Sequence, residues 1–161
     1  MKSLLWIFTG PSKTGIQKAM NACHHKDIVF YDPAFGHIKG DRVRDMWYML
    51  LEKNSGNLKV SFSDIQANDH NASAKWSASY YFGPQKRKVT NNGIGTFYIQ
   101  NGKILQHTDH FDLWHWSRQA LGFKGFLLGW TKTMKLKVQQ ESSKMLSRYL
   151  QKMQSLEEDA T

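Results

Sequence analysis

The sequence predicts an α+β protein built on an antiparallel sheet, and three features carry that reading. In KWSASYYF (75–82), Trp76, Ala78, Tyr80 and Phe82 alternate with Lys75, Ser77, Ser79 and Tyr81, the period of a half-buried strand. Asn101-Gly102 separates two strand-like runs and accepts the positive φ angles of a tight two-residue hairpin. Apolar residues at helical spacing flank this block on both sides.

Element by element, Leu4–Phe8 is a short apolar run broken by Gly10-Pro11, and a helical pattern follows from Ser12 to about Cys23. DIVFYDP (27–33) reads as a short strand ended by proline. Val43, Met46, Trp47, Leu50 and Leu51 fall at helical spacing, which predicts a helix over 41–52 with Asp41 as its N-cap. Leu58, Val60, Phe62 and Ile65 open a strand that turns near 68–71, and the alternating strand through Trp76 ends at Gly83-Pro84. A third strand spans 87–100, where Gly93 and Gly95 invite a bulge. The hairpin then returns along 104–112. DLWHWSRQALG (112–122) predicts a short helix capped by Gly122, and FKGFLLGW is an apolar, glycine-rich connection. A last helix over 131–153 places Met134, Val138, Met145, Leu146, Tyr149, Leu150 and Met153 on one stripe, with lysines opposite.

A length of 161 residues fits one domain over 1–161, and 40% hydrophobic with 13% aromatic residues implies an aromatic-walled interior. The net charge of +9 favours acidic partners. However, much of the excess sits on the last helix, where a solvated face explains it, so nucleic acid is not the expected partner. The single cysteine, Cys23, excludes an internal disulfide and suits a reducing cytoplasm. No run is long enough to span a bilayer. Cys23-His24-His25 has metal-binding residue types, but neighbours on a helix diverge, so no metal is expected. TGPSKTG (9–15) lacks Walker spacing, and neither a nucleophile elbow nor a dinucleotide fingerprint occurs; no cofactor is expected.

The chemistry-bearing candidates lie on the return strand. Leu105, His107, Asp109 and Phe111 share one face there, and Leu105 and Phe111 need burial. That register brings His107 and Asp109 among rings, with Trp76 and Tyr80 from a neighbouring strand. Desolvation there raises a carboxyl pKa towards neutrality. A buried His–Asp pair that only satisfies itself is the competing reading. Asp32, in FYDPAFG, is either an Asx-type turn residue or an acid kept among Phe30, Tyr31 and Phe35.

DIVFYDPAFGHIKGDRVRDMW, NGKILQHTDHFD and LWHWSRQALG together resemble the nuclear transport factor 2-like superfamily, specifically its SnoaL-like members, over about residues 14–150. The resemblance implies a cone of about three helices packed into a strongly curved antiparallel sheet around an apolar pocket, and dimers formed through the sheet. Ketosteroid isomerase, limonene epoxide hydrolase and polyketide cyclases belong there, beside non-catalytic proteins. Asp32 matches the isomerase's general base, and Asp109 the acid of the hydrolase and cyclases. The Arg and Asp that orient water in the hydrolase are missing from the strand carrying Trp76, Ala78 and Tyr80. Residues 1–12 are atypical for the family. The implied function is proton transfer on a small apolar carbonyl or polycyclic compound. Asp109 is the acid/base, assisted by His107 or Asp32, and Trp76, Tyr80, Phe111 and Trp114 shape the cavity. Two rival readings remain: a ligand-binding or dimerising module without catalysis, and acidic-surface binding through the last helix.

Overall fold

In a computed structural model, residues 18, 20–54 and 56–159 are described, and the expectations for 1–17 lie outside them. Residues 20–23 are helical. The chain then forms β1 (His24–Asp32), β2 (Gly36–Lys39), α1 (Asp41–Lys53), β3 (Lys59–Ala67), β4 (Asn71–Phe82), β5 (Arg87–Gln100) and β6 (Lys103–Phe111). Three helices follow: α2 (Leu113–Leu121), α3 (Phe123–Leu128) and α4 (Lys132–Glu158).

The strands form one curved six-stranded sheet in the order β2-β1-β6-β5-β4-β3. It is antiparallel except where β1 pairs in parallel with β6. Asn101 and Gly102 both have positive φ, 51° and 74°, as the expected hairpin requires.

Three expectations shift. Asp41 opens the first turn of α1 instead of capping it; Gly40, at φ 58°, is the N-cap, and no side chain caps there. The connection 123–130 is largely helical, forming α3. The bulge in the β5–β6 ladder is not at Gly93 and Gly95, which pair regularly with Phe111 and Asp109. It lies at the other end of the hairpin, where Tyr98 faces Gln106 but Ile99 faces Ile104, leaving Leu105 without a partner. For that reason Ile104 is buried and Leu105 only half-buried, the reverse of the simple alternation.

Those two glycines make room instead. A Cβ on Gly93 would stand 2.5 Å from the Trp76 ring and 2.6 Å from the His110 carbonyl oxygen. On Gly95 it would stand 3.0 Å from an Asp109 carboxyl oxygen and 3.1 Å from the Phe97 ring. The bare backbone lets the Trp76 side chain lie flat across β5.

The main core packs Ile28, Phe30, Ile38 and Ile104 of the sheet against Val43, Met46 and Met49 of α1 and Leu146 of α4. A second cluster joins Val89 to Trp116 and Ala120 of α2 and Val138 of α4. The last helix buries Val138 and Leu146, two members of its expected stripe. Asp112 caps α2 by accepting from the His115 N–H at 2.9 Å, and Thr131 caps α4 by accepting from the Met134 N–H at 3.1 Å.

Gly93→Ala should destabilise the protein by about 1–3 kcal/mol, because the added methyl overpacks against ring and backbone. Thermal unfolding followed by near-UV circular dichroism checks this, and a wild-type melting curve with an intact aromatic signal would contradict it.

Candidate functional site

Cross-strand partners share a face of a sheet, so the ladders define which side chains meet on the concave side. From β6 these are His107, Asp109 and Phe111; from β5, Phe97, Gly95, Gly93, Asn91 and Val89; from β4, Ala74, Trp76, Ala78 and Tyr80. In the parallel pair, Phe30 lies level with His107 and Tyr31 with Thr108. Asp32 directly follows this ladder, near enough to Asp109 for the Asp109 charge to act on it.

Asp109 is 6% exposed and His107 4%. One carboxyl oxygen of Asp109 accepts from the Trp76 indole N–H at 2.9 Å and lies 3.2 Å from His107 Nε2. The imidazole sits in an aromatic cage: Phe97 at 4.4 Å and Phe30 at 5.0 Å between ring centroids, with Trp47 stacked at 6.3 Å. Such a cage gives the ring no water to bond, so its Nε2–H aims at the carboxylate that wants it.

Asp32 ends β1, and one of its carboxyl oxygens accepts from the backbone N–H groups of Ala34 and Phe35. Pro33 supplies no N–H, which leaves those two as the local donors. The Asx-type turn that the sequence offered is therefore present. Burial pushes its carboxyl up to about 7. The Phe35 and Ala34 N–H groups and His107 pull it down, while the charge of Asp109 pushes it further up.

Tyr80 accepts from the Trp116 indole N–H at 2.7 Å, which leaves its own O–H to donate. Burial, with a smaller push from Asp32, raises the phenol to about 12, so it stays protonated. Phe111 packs edge-on against Trp76, with centroids 6.0 Å apart.

The sheet thus brings Asp32, His107, Asp109, Trp76, Tyr80 and Phe111 to one side. Trp114 is not with them. Its indole N–H donates to the Phe126 carbonyl at 3.1 Å, and the Arg118 guanidinium lies 4.5 Å over its ring. Two positions along a helix is about 200° of rotation, so Trp116 points inwards where Trp114 points out. The sequence reading missed Trp116, Phe97, Trp47 and Asn91 as site residues; for Trp116 the signal was available, since one of two Trp at i and i+2 had to face in.

His24 and His25 lie on β1, not on a helix. Burial, reinforced by His107, lowers His24 to about 4, so it is neutral near pH 7. Among the described residues, no group of three or more His, Cys, Asp or Glu is arranged to hold a metal ion.

A model of the SnoaL-like domain matches residues 13–107. No curated protein matches the sequence significantly. Solved structures with a similar fold include one described as a SnoaL-like polyketide cyclase from Jannaschia sp. CCS1, at 12% identity and TM-score 0.63, covering 73% of this chain and 88% of that one. An NTF2-like protein from Anabaena variabilis ATCC 29413 has 16% identity and TM-score 0.57, with coverages of 68% and 84%. An epoxide hydrolase from M. tuberculosis, described as LEH-like, has 22% identity and TM-score 0.54, with coverages of 80% and 89%. At these identities the likeness is one of fold.

The raised carboxyl of Asp32 binds its proton more tightly in the folded chain than in the unfolded one. Its contribution to stability is therefore complete below the unfolded value of 3.8 and is lost as pH rises through about 7. Relative to Asp32→Asn, the wild type should lose stability between about pH 4 and 7 and level off above. Urea denaturation of both proteins across that window measures it, and two parallel stability curves would exclude it.

Proposed function

We propose that this chain, which belongs to the SnoaL-like domain family, binds a small, mostly apolar carbonyl or polycyclic compound and moves a proton beside its carbonyl. The observation that carries the reading is that Asp32, at the end of the β1–β6 ladder, stands beside Asp109 on an aromatic face. The Asp109 charge resists ionisation of its neighbour and adds to the burial that raises Asp32.

In this scheme the Asp32 carboxyl, raised to about 7, takes or returns the substrate proton, because a base works best with a pKa near the operating pH. Asp109 is fixed by Trp76 and His107 and sets the charge against which Asp32 titrates. As the proton leaves carbon, negative charge builds on the carbonyl oxygen. The Tyr80 O–H, oriented by Trp116, is the donor available to receive it. Trp76 and Phe111 wall an apolar substrate. Asp109 thereby passes from the acid/base expected of it to the partner that tunes Asp32. Pairing of two copies through the convex side belongs to the same reading, supported by Tyr81, Ile94 and Tyr98, which are exposed there.

A binding module without catalysis is favoured by one observation: donors already meet one oxygen of each acid. Solvent deuterium exchange into 2-tetralone, a bicyclic enolisable ketone, separates the two. Catalysis predicts exchange by the wild type, lowered roughly 100-fold or more by Asp32→Asn and by Asp109→Asn at unchanged far-UV circular dichroism. Tyr80→Phe should lower it by a smaller factor. Full exchange in both Asn variants would remove the mechanism. Ligand quenching of tryptophan fluorescence with no exchange in the wild type would leave a binding protein.

A further inference from the structure

Segment 123–137 reverses the normal arrangement of a surface helix. Over 123–130 the small residues face the body and the large apolar ones face out. Gly125 and Gly129 are buried, and a Cβ on Gly125 would collide with the Ser117 carbonyl of α2. Around them Phe123, Phe126, Leu127, Leu128, Trp130 and Leu136 are all exposed, Phe123 at 75% and Trp130 at 72%. A contiguous patch of that kind marks an interaction site.

The patch is held stiffly. The Trp114 indole N–H donates to the Phe126 carbonyl, and the Trp130 indole N–H donates to the Leu127 carbonyl at 3.1 Å. With their polar ends satisfied inside the segment, the rings present hydrocarbon outwards. Along this stretch of chain the charge has one sign, with exposed Asp112 and Glu141 standing just beyond its ends. From Leu113 to Gln140 the chain carries Arg118, Lys124, Lys132, Lys135 and Lys137 and no Asp or Glu. Of these, Lys124, Lys132 and Lys137 are exposed beside the apolar groups.

We propose that this surface docks peripherally on an anionic lipid bilayer. Phe126, Leu127 and Trp130 enter the boundary between headgroups and acyl chains, and the three lysines meet the phosphates. Exposed Trp, Phe and Leu ringed by Lys is the composition that binds an interface plane. A protein partner needs complementary shape and paired polar groups, whereas this patch offers little beyond hydrocarbon and positive charge. Among the described residues no helix is long and apolar enough to cross a membrane, and the contact proposed is superficial. The proposal does not depend on the chemistry of the concave face.

The test is co-sedimentation of the full chain with vesicles of equimolar phosphatidylcholine and phosphatidylglycerol, against vesicles of phosphatidylcholine alone. Binding is expected to the mixed vesicles and to fall with added salt. Replacing Lys124, Lys132 or Lys137 by Gln should weaken it roughly fivefold each. The double variant Phe126→Ser, Trp130→Ser should weaken it by about tenfold or more with an unchanged far-UV spectrum. Bromine-labelled lipid should quench wild-type fluorescence, and Trp130→Phe should remove most of that quenching. No retention on the mixed vesicles, or equal retention of the double variant, overturns the proposal. So does concentration-dependent self-association that the double variant abolishes without any lipid binding, which would assign the patch to a second copy of the chain.

Discussion

The arrangement of the concave face depends on one unpaired residue, Leu105. Counted back from the Asn101-Gly102 turn without a bulge, the ladder would set Thr96 opposite His107 and Ile94 opposite Asp109. The slip at Leu105 moves every later pair by one, so Phe97 meets His107 and Gly95 meets Asp109. Since side chains alternate with a period of two, that single residue exchanges the two faces of β5 relative to β6. Glycine instead of isoleucine then lies beside Asp109, and the Trp76 indole crosses the gap. Without the slip, Asp109 would face Ile94 and lose the room that Gly95 gives it beside Trp76.

Burying a carboxylate costs several kcal/mol unless donors replace water. The two acids solve this differently. Asp109 takes side-chain donors, Trp76 and His107, from a neighbouring strand and its own. Asp32 takes backbone donors from the turn that Pro33 begins. Backbone donors cannot leave, yet burial still outweighs them, and the carboxyl stands at about 7. An acid that served only to hold a turn would be more stable exposed. Its position beside Asp109 is what a purely local role does not explain.

Most of the fold was legible because its signals are local. Alternation at 75–82, the Asn-Gly turn and the helical spacing at 41–52 each act over a few residues, and each element stands where expected. His107 and Asp109 were legible for the same reason, as two residues on one side of a strand. What was not legible depends on pairing across the chain. The parallel β1–β6 ladder, which Asp32 directly follows, brings it near Asp109, and no stretch of sequence encodes a partner some eighty residues away. The glycines of β5 read as a bend because glycine weakens strands; their actual cause is the Trp76 side chain on another strand. Trp114 was misplaced because α2 lies against the sheet by one face, and sequence gave both tryptophans equal claim.

α2 also shows how interior and surface are joined. On its inner side Trp116 holds the Tyr80 hydroxyl, and on its outer side Trp114 and Ser117 hold α3. Ser117 is fully buried, and its hydroxyl has no hydrogen-bond partner in the described structure. A residue that bears such a cost at a helix–helix contact is there for its size: a larger side chain would lift α3 from the body. Close apposition through Ser117, Gly125 and Gly129 mounts α3 by its small residues and leaves its large ones exposed. Its exposed rings are therefore a consequence of how it is mounted, not of a loose end. One nine-residue helix thus anchors the enclosed chemistry on one side and an open apolar surface on the other. An apolar ligand reaching the concave face from a lipid interface would meet both within the same few turns of chain.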